Sequence, residues 1–251
     1  MNSFLLEIGL EEVPASMIQP SIEQLRELVT KTLQQQNLSG QIEIFGTPRR
    51  FGLLVRNLPA SQANRIEEIK GPPIEMAKDE KGQWKQAALG FAKKNGIDSE
   101  KLEVRDFSGK EYLYAIKHLE GRQTKEILEA SILEWIHALR FPKNMRWGSY
   151  RQRFVRPIRW LTCLWNSEVI SVGLEMVRSG NRSFGHRFLS KDFFTIDQAD
   201  QYENNLRDRW VIASPSKRRA RIEEQIQKLE RKYKCRIEID PLLLMEVTNL
   251  L

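Results

Sequence analysis

The chain has 251 residues, 41% hydrophobic and 29% charged, a globular composition with enough apolar material for one large core or two small ones. Forty basic against 33 acidic residues leave a net charge of +7, and the two cysteines, Cys163 and Cys235, stand far apart with no neighbouring His or Cys, which argues against both a disulfide framework and a structural zinc site. The longest apolar runs, such as PLLLM at 241–245, are too short to cross a bilayer, and the acidic, early-broken start MNSFLLEIGLEEVP is unlike a signal peptide, so the expected location is cytoplasmic, away from any membrane.

The chain opens as a short strand from Phe4 to Ile8 that breaks at Gly9. Pro14 suits the first turn of a helix in which Ile18, Ile22, Leu25, Leu28, Val29 and Leu33 recur at helical spacing, ending near Gly40. Two strands flank a break at Gly46–Pro48. Segment 60–83 is polar, is interrupted by Gly71, Pro72, Pro73 and Gly82, and is expected to be an exposed connection. A helix over 83–96 stops at Gly96, and 100–119 predicts a hairpin with Ser108–Gly109 in its turn. The pattern Ile127, Leu128, Ile132, Trp135, Leu139 predicts a helix from Thr124 to Leu139.

Residues 158–165 and 169–177 read as a second strand pair, followed by a Gly-rich loop over 178–188. Ser214 and Pro215 begin a helix with a narrow stripe of Ile222, Ile226 and Leu229. Its Glu223, Glu224 and Glu230 offset the basic residues, so it is expected to be a solvated amphipathic helix. An apolar helix starts near Asp240 and halts at Leu251 without a cap or polar tail, as a fragment of a longer protein would. Together these elements predict an α+β fold, with mixed or antiparallel sheets and packed helices, in two subdomains spanning 1–120 and 121–251.

The positive charge is concentrated. From Arg140 to Arg159 lie Arg140, Lys143, Arg146, Arg151, Arg153, Arg156 and Arg159 and no acid, which equals the whole excess of the chain. Trp147, Tyr150, Phe154 and Trp160 interleave with them. Guanidinium forks hold phosphate oxygens and aromatic faces stack on bases, so the pairing of these residue types fits a polyanion site. The plainer reading is a strand with its rings in the core and its arginines in water; Phe154, Ile158 and Trp160 share parity, and the two readings are compatible.

A second acid-free stretch adds Arg178, Arg182, His186, Arg187 and Lys191, with Gly180 and Gly185 permitting close backbone approach. His186 fits a hydrogen-bonded structural role, an RNA contact or a general base. Arg49 and Arg50 after Pro48 fit either a solvated hairpin edge or a contact with RNA or a partner chain. Glu11 and Glu12 are adjacent, so they would point apart on a helix and serve its N-terminus better than an acid–base couple. No phosphate-loop motif, dinucleotide fingerprint or metal-ligand spacing occurs, so no catalytic residue and no metal site is assigned.

Eight motifs in order from residue 4 to residue 250 carry a resemblance: FLLEIGLEEVPA, FGTPRRFGLLV, KGPP, GQWKQAALGFAKKNGI, FPKNMRWG, FVRPIRWL, GHRF and EVTNL. They resemble the beta subunit of the bacterial heterotetrameric glycyl-tRNA synthetases. The resemblance implies a ligase of two alpha and two beta chains that joins glycine to its tRNA using ATP, with the catalytic site, ATP and Mg at the alpha subunit and no cofactor on this chain. It implies the N-terminal portion of the beta chain, related to the B3/B4 region of the phenylalanyl enzyme, without the HD-type and anticodon-binding domains that follow in the family, and inactive alone. The expected contacts to tRNA or to the alpha chain are Arg49, Arg50, Lys143, Arg146, Arg151, Arg153, Arg156, Arg159, Arg182, His186 and Arg187. The rival readings are a subunit-interface module without RNA contact and a hydrolytic or editing domain centred on His186.

Overall fold

A computed structural model describes residues 1–79, 82–175, 177–190 and 192–250. Four expectations reach beyond them: the connection 60–83 includes Glu80 and Lys81, the strand 169–177 includes Met176, the basic loop includes Lys191 and the last helix includes Leu251, and these five positions lie outside the described residues. In chain order the elements are β1 (Asn2–Leu10), α1 (Ala15–Gln35), β2 (Gln41–Thr47), β3 (Arg50–Leu58), β4 (Arg65–Pro73), α2 (Ile74–Ala77), α3 (Gln86–Asn95), β5 (Leu102–Phe107) and β6 (Lys110–Leu119). They continue with α4 (Thr124–Ala138), β7 (Met145–Arg146), β8 (Arg153–Phe154), β9 (Ile158–Trp165), β10 (Glu168–Val169), β11 (Ser179–Gly180), β12 (Arg182–Phe184), β13 (Phe193–Thr195), α5 (Tyr202–Arg207), α6 (Pro215–Tyr233) and α7 (Pro241–Leu250). The α+β class is as expected.

The chain forms two compact units, one from Met1–Ser61 together with the chain from Gln123 onward, the other from Gln62–Arg122. The second unit is thus an insertion, and residues 1–61 pack with the C-terminal part instead of with 62–120. Long-range pairing is the reason: β1 is hydrogen-bonded between β3 and β9, antiparallel to both. Composition along the chain carries no trace of such a pairing.

In the first unit the strand order is β10-β9-β1-β3-β2, with β11 lying parallel along β9. Being central, β1 is buried on both faces. Phe4, Leu6, Ile8 and Leu10 face α1 and α4, where Ile18, Ile22, Leu25, Ile127, Leu128 and Trp135 close one core. Leu5 faces the opposite side with Phe45, Leu54 and Leu164, against Phe194, Tyr202 and Leu206. Strand side chains alternate, so Glu7 and Gly9 also point to this second face. The expected break at Gly9 does not occur, and β1 runs on to Leu10.

The second unit is a three-stranded antiparallel sheet, β4-β6-β5. Its small core joins Ala77, Ala88, Ala92, Leu102, Leu113 and Ala115. Gly96 ends α3 in the left-handed conformation, φ 65°, and Ser108 and Gly109 turn the hairpin with φ 56° and 80°, both as the sequence predicts. Segment 60–83 departs from expectation, because 65–73 is an edge strand. Its Gly71–Pro73 end is tolerated there since an edge strand leaves one side of its backbone unpaired.

Segment 169–177 also departs. Among the described residues its strand pairing is limited to Val169 in β10 and an isolated antiparallel bridge from Gly173 to Arg178, while Ile170, Val172 and Leu174 are buried. Hydrophobicity alone signalled burial correctly but not the pairing. Among the described residues no helix is long and apolar enough to cross a membrane.

Candidate nucleic-acid interface

Glu7 is the one charge in the run FLLEIGL, and it is fully buried. Its neighbours across the sheet are Gly52 on β3 and Thr162 on β9; in the next row Gly9 sits between Arg50 and Trp160. The two glycines leave the space that this face needs. A Cβ on Gly9 would lie 1.9 Å from the Trp160 ring, and one on Gly52 would lie 3.3 Å from the Tyr202 hydroxyl.

Four donors converge on the Glu7 carboxylate. Oε1 accepts from Trp160 Nε1 and from Ser183 Oγ (2.6 Å); Oε2 accepts from Arg50 Nη1 (3.1 Å) and from the Tyr202 hydroxyl. That fills the acceptor positions of a carboxylate. Arg50 also donates to the Phe184 carbonyl (2.6 Å) and lies 5.7 Å from the Trp160 ring centroid. The cluster therefore pins β12 through Ser183 and Phe184, and α5 through Tyr202, onto the central strand. Thr162 Oγ1 adds a bond to the Arg182 carbonyl (2.6 Å).

Burial, and next the negative charge of Glu7, hold the Tyr202 hydroxyl well above its usual range. The unfolded chain releases this proton near pH 10 while the folded chain keeps it. The associated stability is complete below about pH 10 and declines above it by about 1.4 kcal/mol per pH unit. Tyr202→Phe should therefore flatten the alkaline fall of the denaturation midpoint between pH 10 and 11.5, even though it lowers the midpoint at pH 8. An unaltered alkaline slope would contradict retention of the proton.

The Trp160 ring separates this hub from an exposed basic surface. The register of β9 on β1 slips between Gly9↔Trp160 and Leu10↔Ile158, a bulge with Arg159 as the extra residue. The bulge places Ile158 in the helical core and Trp160 on the opposite face, so the shared parity of Phe154, Ile158 and Trp160 does not translate into a shared face. Arg159, Arg178 and Arg182 line a shallow cleft of about 300 Å³ beside Trp160 and Phe193. On the hairpin β7–β8, Arg146 stands directly opposite Arg153, and both are exposed. Like charges facing each other across a ladder are destabilising and invite an anion between them.

The expected contact residues fall into three groups. Lys143, Arg146, Arg153 and Arg182 are exposed, and among the described residues no carboxylate lies within ion-pair distance of them. Arg151 is exposed as well, its backbone N–H donating to Glu175 (2.6 Å). Others are tied down. Arg159 lies 3.3 Å from Glu11, Arg187 pairs with Glu12, and Arg156 Nε donates to the Glu12 carbonyl (2.9 Å). Glu11 and Glu12 thus precede α1 and serve these arginines instead of the helix terminus. Both ion pairs are exposed and so contribute about 0–1 kcal/mol each.

Arg49 is half-buried at the β2–β3 turn, 5.9 Å from the Trp160 ring. Burial lowers its guanidinium from the ordinary value, Glu11 opposes that shift, and Arg50 and Arg187 add to it. Arg50 is the clear correction: only 2% exposed, it is a partner of Glu7 and not a surface contact. In the two-residue turn Pro48–Arg49, the alternation of the strand turns Arg49 out and Arg50 in. His186 accepts at Nδ1 from the Phe188 and Leu189 backbone N–H groups (3.2 and 3.3 Å), the geometry of a structural histidine. Among the described residues no group of three potential metal ligands occurs. Glu7, Ser183 and Tyr202 were missed as a cluster; the available signal was a lone acid inside a central apolar strand.

A family model described as Glycyl-tRNA synthetase beta subunit matches residues 4–251. The chain is 42% identical over 248 residues to the "Glycine--tRNA ligase beta subunit" of Shouchella clausii, covering 98% of this chain and 36% of that protein. The protein of the same name from Gloeothece citriformis is 39% identical over 255 residues, with 100% and 35% covered. That of Listeria monocytogenes is 42% identical over 250 residues, with 99% and 36% covered. The chain therefore spans about 36% of the length of the curated relatives it matches. On this match, and with eight ordered motifs spread over the same span, the chain belongs to the glycyl-tRNA synthetase beta subunit family.

Proposed function

We propose that this chain is the N-terminal part of the beta subunit of a glycine–tRNA ligase and that its basic face helps to hold tRNA. In this reading the whole enzyme is a cytoplasmic assembly of two alpha and two beta chains that forms glycyl-tRNA with ATP. Glycine, ATP and Mg are handled by the alpha subunit; this chain contributes RNA contacts and part of the subunit assembly, and does not aminoacylate alone. Lys143, Arg146, Arg151, Arg153 and Arg182 supply the exposed charge. Arg156, Arg159 and Arg187, already held by Glu11 and Glu12, shape the edge of that surface. The observation that carries the reading is the facing pair Arg146 and Arg153, which has no carboxylate partner among the described residues. This reading assigns His186 no chemical step; its Nδ1 accepts from two backbone N–H groups and holds its own loop.

Counterion release provides the test. Equilibrium binding of the chain to a glycine tRNA should weaken steeply with salt, and Arg146→Gln/Arg153→Gln/Arg182→Gln should reduce the log–log slope by up to about 3, near 0.9 per phosphate contact on duplex. Binding that is flat between 50 and 200 mM salt would remove the RNA surface and leave subunit docking as the use of this face.

A further inference from the structure

A second cleft, of about 360 Å³, adjoins the arginine cleft and is lined by Trp147, Tyr150, Pro157, Ile158, Arg159 and Val177. The two clefts share Arg159 and Val177, and among the described residues no acid lines either one. One is aromatic and apolar, the other carries three guanidinium groups. We propose that together they form a subsite for a single unpaired nucleotide, its base stacked on Tyr150 and Trp147 and its phosphate held by Arg159, Arg178 and Arg182. The proposal rests on the reading of the basic face as an RNA surface and makes that reading more specific.

The aromatic half is built to stay open. Trp147 Nε1 donates to the Phe154 carbonyl (3.1 Å), which fixes the indole against β8. Gly148 takes φ 61°, and the Tyr150 backbone N–H returns to the Trp147 carbonyl (3.4 Å), so a tight turn brings both residues to the same cleft. The Tyr150 side chain stays 38% exposed. Arg159 stands at the junction of the two clefts, and its exposed contact to Glu11, at 3.3 Å, is weak enough for a phosphate to displace.

Size and shape select the ligand. Both clefts are at the low end of the usual range for ligand sites, about 300–1,000 Å³, which suits one nucleotide. A paired base keeps its faces within the duplex stack, whereas an unpaired one can offer a face to an aromatic ring. A duplex can still lie on Lys143, Arg146 and Arg153, but it cannot fill the aromatic cleft. The subsite therefore adds a preference for single-stranded ends or loops to a surface that is otherwise electrostatic.

The test uses the chain with two probes, a single-stranded RNA octamer and a blunt-ended, fully paired RNA duplex. Tyr150→Ala should weaken octamer binding by about tenfold, leave its salt slope unchanged and leave duplex binding unchanged. Arg159→Gln/Arg178→Gln/Arg182→Gln should lower the octamer slope by about 0.7, the value for the one single-strand phosphate they hold. If Tyr150→Ala leaves the octamer unaffected, or weakens both probes alike, the nucleotide subsite is overturned while the basic surface stands. If both variants and the unaltered chain show no salt-dependent binding to either probe, the RNA reading falls with it.

Discussion

Glu7→Ala should cost about 3–5 kcal/mol of stability, the loss typical of removing one partner from a buried ion pair. It would leave Arg50 charged in a site 2% exposed, and strip Trp160, Ser183 and Tyr202 of their common acceptor. In a domain of this size that corresponds to a fall in Tm of roughly 10 °C. Denaturation followed by tryptophan fluorescence is the measurement, since every tryptophan except Trp84 lies in the unit that contains Glu7. Glu7→Leu/Arg50→Met, although it changes two residues, should be less damaging than Glu7→Ala, because it leaves no uncompensated charge. A cost below about 1 kcal/mol for Glu7→Ala would show that the carboxylate is not the anchor of this face. The loss should also reach RNA binding. Ser183 and Phe184 fix β12, and Arg182 sits at its start, so a surface charge is misplaced by a change made in the core.

Parts of this architecture were legible in the sequence for a local reason. Helices α1, α4 and α6 carry their own periodicity and α6 its Ser214–Pro215 start, although α1 ends at Gln35 and not near Gly40, and the turn Ser108–Gly109 encodes its own geometry. Where the information is non-local, the sequence is mute. Arg49 and Arg50 are chemically identical and adjacent, and only the register of β3 against β1 leaves one half-buried at the turn and the other fully buried against Glu7. The bulge at Arg159 reverses the face of Trp160 relative to Ile158, an effect that no parity count anticipates. Glu11 and Glu12 looked like helix-terminal acids, yet their partners Arg159 and Arg187 come from more than a hundred residues away. The concentration of positive charge over 140–159 was visible from the order of residues alone; which arginines remain free of a carboxylate among the described residues needed the fold.

Gly9→Ala should destabilise the chain by about 3 kcal/mol or more, well above the usual cost of an alanine in a strand. The added methyl would fall 1.9 Å from two Trp160 ring atoms, a distance that forces movement. The backbone of β1 cannot give way, being paired on both edges, so the indole must shift. Its freedom is small: Nε1 is bonded to Glu7, and Arg50 and Arg49 lie over the ring at 5.7 and 5.9 Å. The glycine is therefore required by the space beside Trp160, not by backbone freedom, since the strand here needs no positive φ. A double-mutant cycle isolates this cause. Trp160→Leu removes the obstructing ring, so Gly9→Ala introduced into that variant should cost at least 1 kcal/mol less than in the parent chain. Equal costs in both backgrounds would mean that the penalty arises elsewhere in β1 and that the Gly9–Trp160 contact does not hold the boundary between the Glu7 hub and the arginine cleft.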